Sequence, residues 1–333
     1  MNPGTNDFMF GFLNIDKPAG MTSRDVVNRI QRLVRPCKVG HAGTLDPLAT
    51  GVLVICLGHA TRLVDYVHRY SKRYAAGFLL GRTSDTEDIE GHVVELPTAP
   101  TVRHEEIEAA LPRFLGEISQ VPPAHSALKV DGQRAYARAR RGETVVLDAR
   151  PVTIHALRCT AYEPPELRLD VTCGTGTYVR SLGRDIARAV GTEAVMVHLR
   201  RVAIGPFQVE TSVELARLER DGLAGFRAHL LPPGLALVGL GTRWLTEIEE
   251  RRVRQGQAID DNSAAPERAA TAVCGDAMMS GHESTAVQLD FPPPPDATTM
   301  AAYGAGGRLV AVLQKGPADR WRPALVFPLE PAG

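Results

Sequence analysis

The chain has 333 residues, enough for two domains of the usual size, about 100–200 residues each. Hydrophobic residues make up 44% and charged residues 23%, with 38 Lys/Arg against 38 Asp/Glu; this composition is globular, and the zero net charge argues against an overtly basic nucleic-acid binder. No run approaches about 18 consecutive apolar residues and MNPGTNDFMF has neither the basic nor the apolar region of a signal peptide, so a cytoplasmic protein without a membrane segment is expected.

In chain order, GFLNID (11–16) reads as a short apolar strand closed by the turn Lys17-Pro18-Ala19-Gly20. Thr22 and Ser23 are candidate N-caps of a helix that places Val26, Val27, Ile30, Leu33 and Val34 at helical spacing, with Pro36 as its stop. VLVICL (52–57) has the continuous apolar run of a fully buried strand, and RYAAGFLLG (73–81), VVEL (93–96) and LRLDVTC (167–173) are further strands. A helix from about Tyr178 to Val190 carries Val179, Leu182, Ile186 and Val190 on one stripe. Arg180, Arg184 and Arg188 recur every four residues on the other side and predict a basic face. Strands mixed with helices over irregular turns indicate an α+β fold.

Composition shifts after about residue 240. Residues 261–306 are rich in Ala, Ser, Gly, Thr and Pro, include FPPPP, and read as a disordered or loop insertion. VRQGQAI (253–259), RLVAVLQ (308–314) and ALVF (324–327) flank it as expected strands of one small β-rich domain, with a boundary near 232–242.

The zero total hides opposed blocks. Residues 11–74 carry ten Lys/Arg and four Asp/Glu, whereas residues 81–110 carry two Arg and eight acidic residues. Residues 129–150 and 180–201 are each basic by three charges. Basic blocks of this kind can neutralise phosphates, or can be solvated surface. Five scattered cysteines without C-x-x-C, and ten histidines without H-E-x-x-H, predict no metal site.

The segment most suggestive of chemistry is KVGHAGTLDPLATGVLVICLG (38–58). Its glycines permit tight turns and close approach of a ligand, and Pro47 holds Asp46 in extended or turn geometry. On pattern alone Asp46 is equally a catalytic carboxylate or a cap for backbone amides. The phosphate-cradling pattern G-x-x-x-x-G-K-[ST] is absent.

Around this segment, GFLNIDKPAGMTS (11–23), KVGHAGTLDPLATGVL (38–53), KRY (72–74), LGRTSDTEDIEG (80–91), QVPPAHSALKVDGQRAYARARRG (120–142), GTGTYVRSLGRDI (174–186) and HLRRVAIGPF (198–207) resemble, in order, the motifs of the TruB-type tRNA pseudouridine synthases. The resemblance covers roughly residues 11–210. It implies a mixed, mostly antiparallel sheet in a catalytic domain over 1–235, followed by a small β-rich, PUA-like domain over 240–333. It implies isomerisation of a uridine in the tRNA T-loop, conventional position 55, by base flipping, with no cofactor, no metal and no obligate protein partner, in a monomer.

By position in those motifs, Asp46 is the implied essential carboxylate and Arg180 the arginine paired with it. Tyr74 is the tyrosine implied to stack on the flipped uracil. Tyr178 and Leu199 would line the pocket, and His41 would contact the RNA where the base has left. Each has a plainer reading from its surroundings: core for Tyr74, Tyr178 and Leu199, a solvated loop for His41, a phosphate contact for Arg180. Lys17 and Asp88 are expected to be structural supports. The chain departs from the motif pattern with His125 at a usual tyrosine and Ser84 at a usual threonine.

Overall fold

The computed structural model describes residues 9–126, 128–130, 133–134, 138, 141, 143, 147–261, 292 and 296–328. Strands β1 Gly11–Lys17, β2 Val39–His41, β3 Thr50–Leu57, β4 Lys72–Leu80, β7 Gly116–Gln120, β10 Arg150–Glu163, β11 Glu166–Cys173, β12 Ala194–Ile204, β13 Phe207–Gln208 and β14 Val213–Glu214 form one ten-stranded sheet. Between them lie the hairpins β5 Arg82–Ser84 with β6 Val93–Glu95, and β8 Lys129–Val130 with β9 Gln133–Arg134. The order along the large sheet is β14-β1-β3-β12-β4-β11-β10-β7, with β2 on β3 and β13 on β12. Only β1–β14 and β3–β12 are parallel, so the fold is α+β with a mixed, mostly antiparallel sheet, as expected.

The sheet's centre is covered on both faces. In β1 and β3, Leu13, Ile15, Leu53, Ile55 and Leu57 join the core beneath helices Ser23–Leu33, Val179–Ala189 and Leu215–Ala228, while Phe12, Val52, Val54 and Cys56 join a second core on the opposite face. Two covered faces leave no place for alternating polar residues, which is why VLVICL is continuously apolar. Helix Ser23–Leu33 starts at Thr22, whose side chain accepts from Asp25 N while Asp25 Oδ2 accepts from Thr22 N at 3.0 Å; this capping box satisfies two otherwise orphan donors.

A second sheet has the order β15-β17-β18-β19-β16, from β15 Gly241–Trp244, β16 Ile259–Asp260, β17 Thr299–Tyr303, β18 Leu309–Lys315 and β19 Arg320–Val326. Trp244, Ala301, Tyr303, Leu309, Val312 and Phe327 pack into the same core as Phe12, Val52 and Leu63. Phe327 stacks on Phe10 at 4.9 Å and the Tyr70 hydroxyl donates to Leu235 O at 2.8 Å, so the two sheets share one apolar interior.

Three expectations change here. The strand predicted over 253–259 is reduced to Ile259, the first residue of β16: Val253 and Arg254 end helix Glu247–Arg254, capped by Thr246 and Glu249, and residues 255–258 join the two; Glu250 and Arg254 pair one turn apart at 2.6 Å, and Val253 and Ile259 are the buried apolar residues of the run. The insertion expected over 261–306 falls largely outside the described residues, yet its last part is a strand: Thr299–Tyr303 lies between β15 and β18. Ala-rich composition concealed it, although Ala301 and Ala302 are buried. The basic face predicted for the Val179–Ala189 helix is drawn inward: Arg180 is buried and Arg184 half-buried, each against acidic partners, and Arg188 is exposed, paired with Glu193.

Candidate active site

Asp46 sits in the loop between β2 and β3, and three buried side chains hold that loop by its carbonyls. Lys17, at the end of β1 and fully buried, donates from Nζ to Pro18 O (2.8 Å), Met21 O (2.6 Å) and Pro47 O (3.2 Å). Ser23, at the start of its helix, accepts from Leu45 N at 2.8 Å and donates to Leu45 O at 3.2 Å. Arg201, on β12, donates from Nε to Val52 O (2.7 Å), Nη1 to Thr44 O (3.2 Å) and Nη2 to Gly43 O (3.0 Å). Buried cations survive only when their donors are matched, and here backbone carbonyls match them, so the loop is fixed on both sides of Asp46. Gly51 closes the loop at φ +94°, where a Cβ would lie 2.2 Å from Arg201 O. Burial pushes the Lys17 ammonium down to about 8 despite the nearby carboxylates of Glu90 and Asp46.

Arg180 stands in the first turn of its helix with a side chain 5% exposed. Its Nε meets Asp46 Oδ2 at 3.0 Å, Nη1 donates to Thr86 O at 2.7 Å and lies 3.5 Å from Asp88 Oδ2, and Nη2 donates to His125 O at 3.1 Å. The guanidinium is thus tied in three directions while it orients one oxygen of Asp46. The Asp46 side chain keeps 35% of its surface exposed, leaving a face for a substrate. Asp88 is itself set by Thr86 Oγ1 (2.5 Å) and Glu90 N (3.0 Å), both donating to its Oδ1.

The remaining expected residues are distributed as follows. Tyr74 on β4 and Leu199 on β12 are buried on the helix-covered face of the sheet, Tyr74 directly opposite Arg201 and Leu199 opposite Ala76. The Tyr74 phenol lies near Arg201, and burial raises its pKa. Tyr178 caps the Arg180 helix; its phenol faces Ser126, and burial raises its pKa also. His41 ends β2, with Nδ1 buried and without a hydrogen-bond partner among the described residues. Burial, with Arg24, Arg201 and His68 nearby, lowers the His41 pKa and favours the neutral imidazole. Tyr74 and Arg201 therefore join the loop cluster, while Tyr178 and Asp88 belong to the Arg180 side.

Several supports were not singled out by sequence. Gln120, 1% exposed, accepts from Tyr178 N at 2.8 Å and donates to Tyr178 O at 3.1 Å, holding the start of the Arg180 helix. Lys72 donates from Nζ to His68 O (2.6 Å), Tyr70 O (2.6 Å) and Thr175 Oγ1 (2.7 Å), anchoring the loop before Tyr178; burial brings its pKa down to about 8. Glu87 occupies a left-handed conformation, φ 63°, and its carboxylate takes Arg184 Nη1 on one oxygen and Ser181 Oγ (2.8 Å) on the other. All three are charged or amide side chains inside quoted motifs, and their burial was the missing signal.

Residues 31–179 match the family model described as TruB family pseudouridylate synthase, N-terminal domain, and residues 180–232 match that of the tRNA pseudouridylate synthase B C-terminal domain. The tRNA pseudouridine synthase B of Dehalococcoides mccartyi is 37% identical over 319 residues, 96% of this chain and 97% of that one. That of Rhodopirellula baltica is 46% identical over 232 residues, which is 66% of this chain and 65% of the relative's own length. Among solved structures, a Cbf5-Nop10-Gar1 complex contains a chain of similar fold, with a TM-score of 0.67 at 24% identity, covering 98% of this chain and 87% of that one. With two consecutive family models matching the large-sheet region and a relative matched almost end to end, the chain belongs to the TruB family of pseudouridylate synthases.

Proposed function

We propose that this protein converts the uridine at position 55 in the T-loop of tRNA to pseudouridine, with Asp46 as its essential carboxylate. The observation that carries the assignment is the Asp46–Arg180 pair: a half-open carboxylate on a loop pinned by Lys17, Ser23 and Arg201, facing a guanidinium that cannot swing away. The target base has to leave the loop stack before its glycosidic bond is accessible. In the isomerisation the C1′–N1 bond breaks, the uracil turns, C5 bonds to C1′, and the C5 proton is lost as N1 gains one. Asp46 serves this either by adding at C1′ or by promoting glycal formation at the sugar.

Arg180 keeps Asp46 aimed. The Tyr74 ring supports the flipped uracil, Tyr178 and Leu199 wall the pocket, and neutral His41 occupies the side of the RNA loop that the base leaves. We assign residues 1–235 as the catalytic unit and 240–333 as an accessory, PUA-like β-rich unit. The protein acts on the T-arm as a cytoplasmic monomer without an obligate protein partner. The test is pseudouridine mapping in T-arm RNA incubated with purified protein alone. Wild type is expected to convert the single uridine and Asp46→Asn to leave it unchanged; full conversion by Asp46→Asn would remove Asp46 from its role. A requirement for added guide RNA or protein would overturn the stand-alone reading.

A further inference from the structure

The acidic block 81–110 ends on helix His104–Ala110, which lies against β10. His104 and Glu108 are one turn apart on that helix, with His104 Nε2 3.8 Å from Glu108 Oε1. Cys159 reaches the same point from β10, and the three potential ligand atoms all lie within 4.8 Å of one another. Two further features orient them. The β10–β11 register shifts between Cys159 and Ala161, a bulge that re-aims side chains on that strand. The His104 ring stacks on Tyr162, whose hydroxyl is fixed by donation to Val102 O at 2.9 Å.

We propose that His104, Glu108 and Cys159 form a binding site for a divalent transition metal of borderline softness, zinc fitting best. Imidazole, carboxylate and thiolate are zinc's ligand types, with bonds of about 2.0–2.3 Å, so a tetrahedral site needs ligand atoms about 3.3–3.8 Å apart. The present spacing closes to that by about 1 Å of side-chain rotation, which the exposed His104 and Glu108 can supply. Solvent provides the fourth ligand. Glu105 adds negative charge on the same helix, while Glu106 is paired with Arg103. Because the ligands come from a helix and from the long β10–β11 hairpin, a bound ion would staple the two together and stabilise the fold.

The test uses untagged, chelator-treated full-length protein titrated with cobalt(II), whose thiolate complex absorbs by sulfur-to-metal charge transfer, followed by displacement with zinc(II). One equivalent is expected to develop the band, zinc to abolish it, and the melting temperature to rise with zinc. Cys159→Ser and His104→Ala should each lose the band and the zinc-dependent rise while melting like wild type without metal. Cys274→Ser should retain both. Absence of the band in wild type, its persistence in Cys159→Ser, or full intensity in His104→Ala would each overturn the site.

Discussion

At Arg180 a single side chain serves four acceptors that lie 55 to 134 positions upstream in the chain: Asp46, Thr86, Asp88 and His125. Lysine carries the same charge but not the planar fork. Arg180→Lys is therefore expected to lower kcat on T-arm RNA by roughly 100-fold or more, with KM little changed, as steady-state assays would register. Glu87 presents a different residue-scale question, because its carboxylate anchors Arg184 and Ser181 while its backbone is left-handed. Both Glu87→Ala and Glu87→Gly lose the anchor, but only alanine keeps the backbone cost. Glycine is expected to be about 1 kcal/mol the less destabilising in urea unfolding, and both variants should turn over more slowly as the Thr86–Asp88 turn loosens. Equal unfolding midpoints would remove the strain at this position. His125, at a usual tyrosine, contributes its carbonyl to Arg180, an interaction that any residue's backbone can make, which accounts for why the departure leaves the arginine's bonding intact.

The elements matter here through how closely they approach. Helix Val179–Ala189 lies on β4 at Gly183, where an added Cβ would meet the Phe78 ring at 2.0 Å. Gly183→Ala is expected to push the helix off the sheet, costing roughly 1–3 kcal/mol and displacing Arg180 from Asp46. Trimming the opposing ring, in Gly183→Ala/Phe78→Leu, should recover much of the loss of activity; no recovery would show that the helix position is set elsewhere. The ends of this helix were readable from its apolar spacing, and so was the box that opens helix Ser23–Leu33, because caps and stripes are local. The strand read over 253–259 started too early, taking in Val253 and Arg254, because the buried apolar residue of helix Glu247–Arg254 is Val253 alone, too weak a periodic signal to mark where the helix ends and the strand at Ile259 begins. The strand Thr299–Tyr303 was hidden for a related reason: alanine does not announce burial.

For the whole molecule, the shared core between the two sheets sets how it unfolds. Phe327 is fully buried against Phe10 and beneath Arg62, whose guanidinium lies 5.6 Å from the ring centre and donates to Val326 O at 2.7 Å. One cooperative transition is expected by circular dichroism, and Phe327→Ala should shift it by about 3–5 kcal/mol without splitting it. Two resolved transitions would show that the sheets fold independently. A pH dependence also belongs to this scale. Lys17 and Lys72 have folded pKa values of about 8, below the ordinary 10.5, so the unfolded chain holds more protons between those values. The lysine contribution to stability therefore rises with pH across that window. Activity is expected to move the other way: a neutral amine has two N–H groups for the three oxygens each lysine now binds, so turnover should fall above about pH 8. Rates and urea midpoints measured side by side from pH 7 to about 9.5 would check this, and a flat rate would exclude protonated lysines as anchors of the site.

Charge shows most clearly what each level decides. The sequence by itself determined that positive and negative groups come in separate blocks, that 38–58 is a glycine-rich loop holding Asp46 ahead of a buried strand, and that Arg180 lies in the first turn of an amphipathic helix. Those features depend on near neighbours, which linear spacing records. Only the tertiary structure decided that Glu87 and Asp88 of the acidic block meet Arg184 and Arg180 about 90 positions later, so that part of the zero net charge is cancelled in space at the site itself. Ion pairing at close range depends on burial and on which strands are brought side by side, and the pairing of β4 with β12 and the seating of the Arg180 helix on β4 bring those residues together.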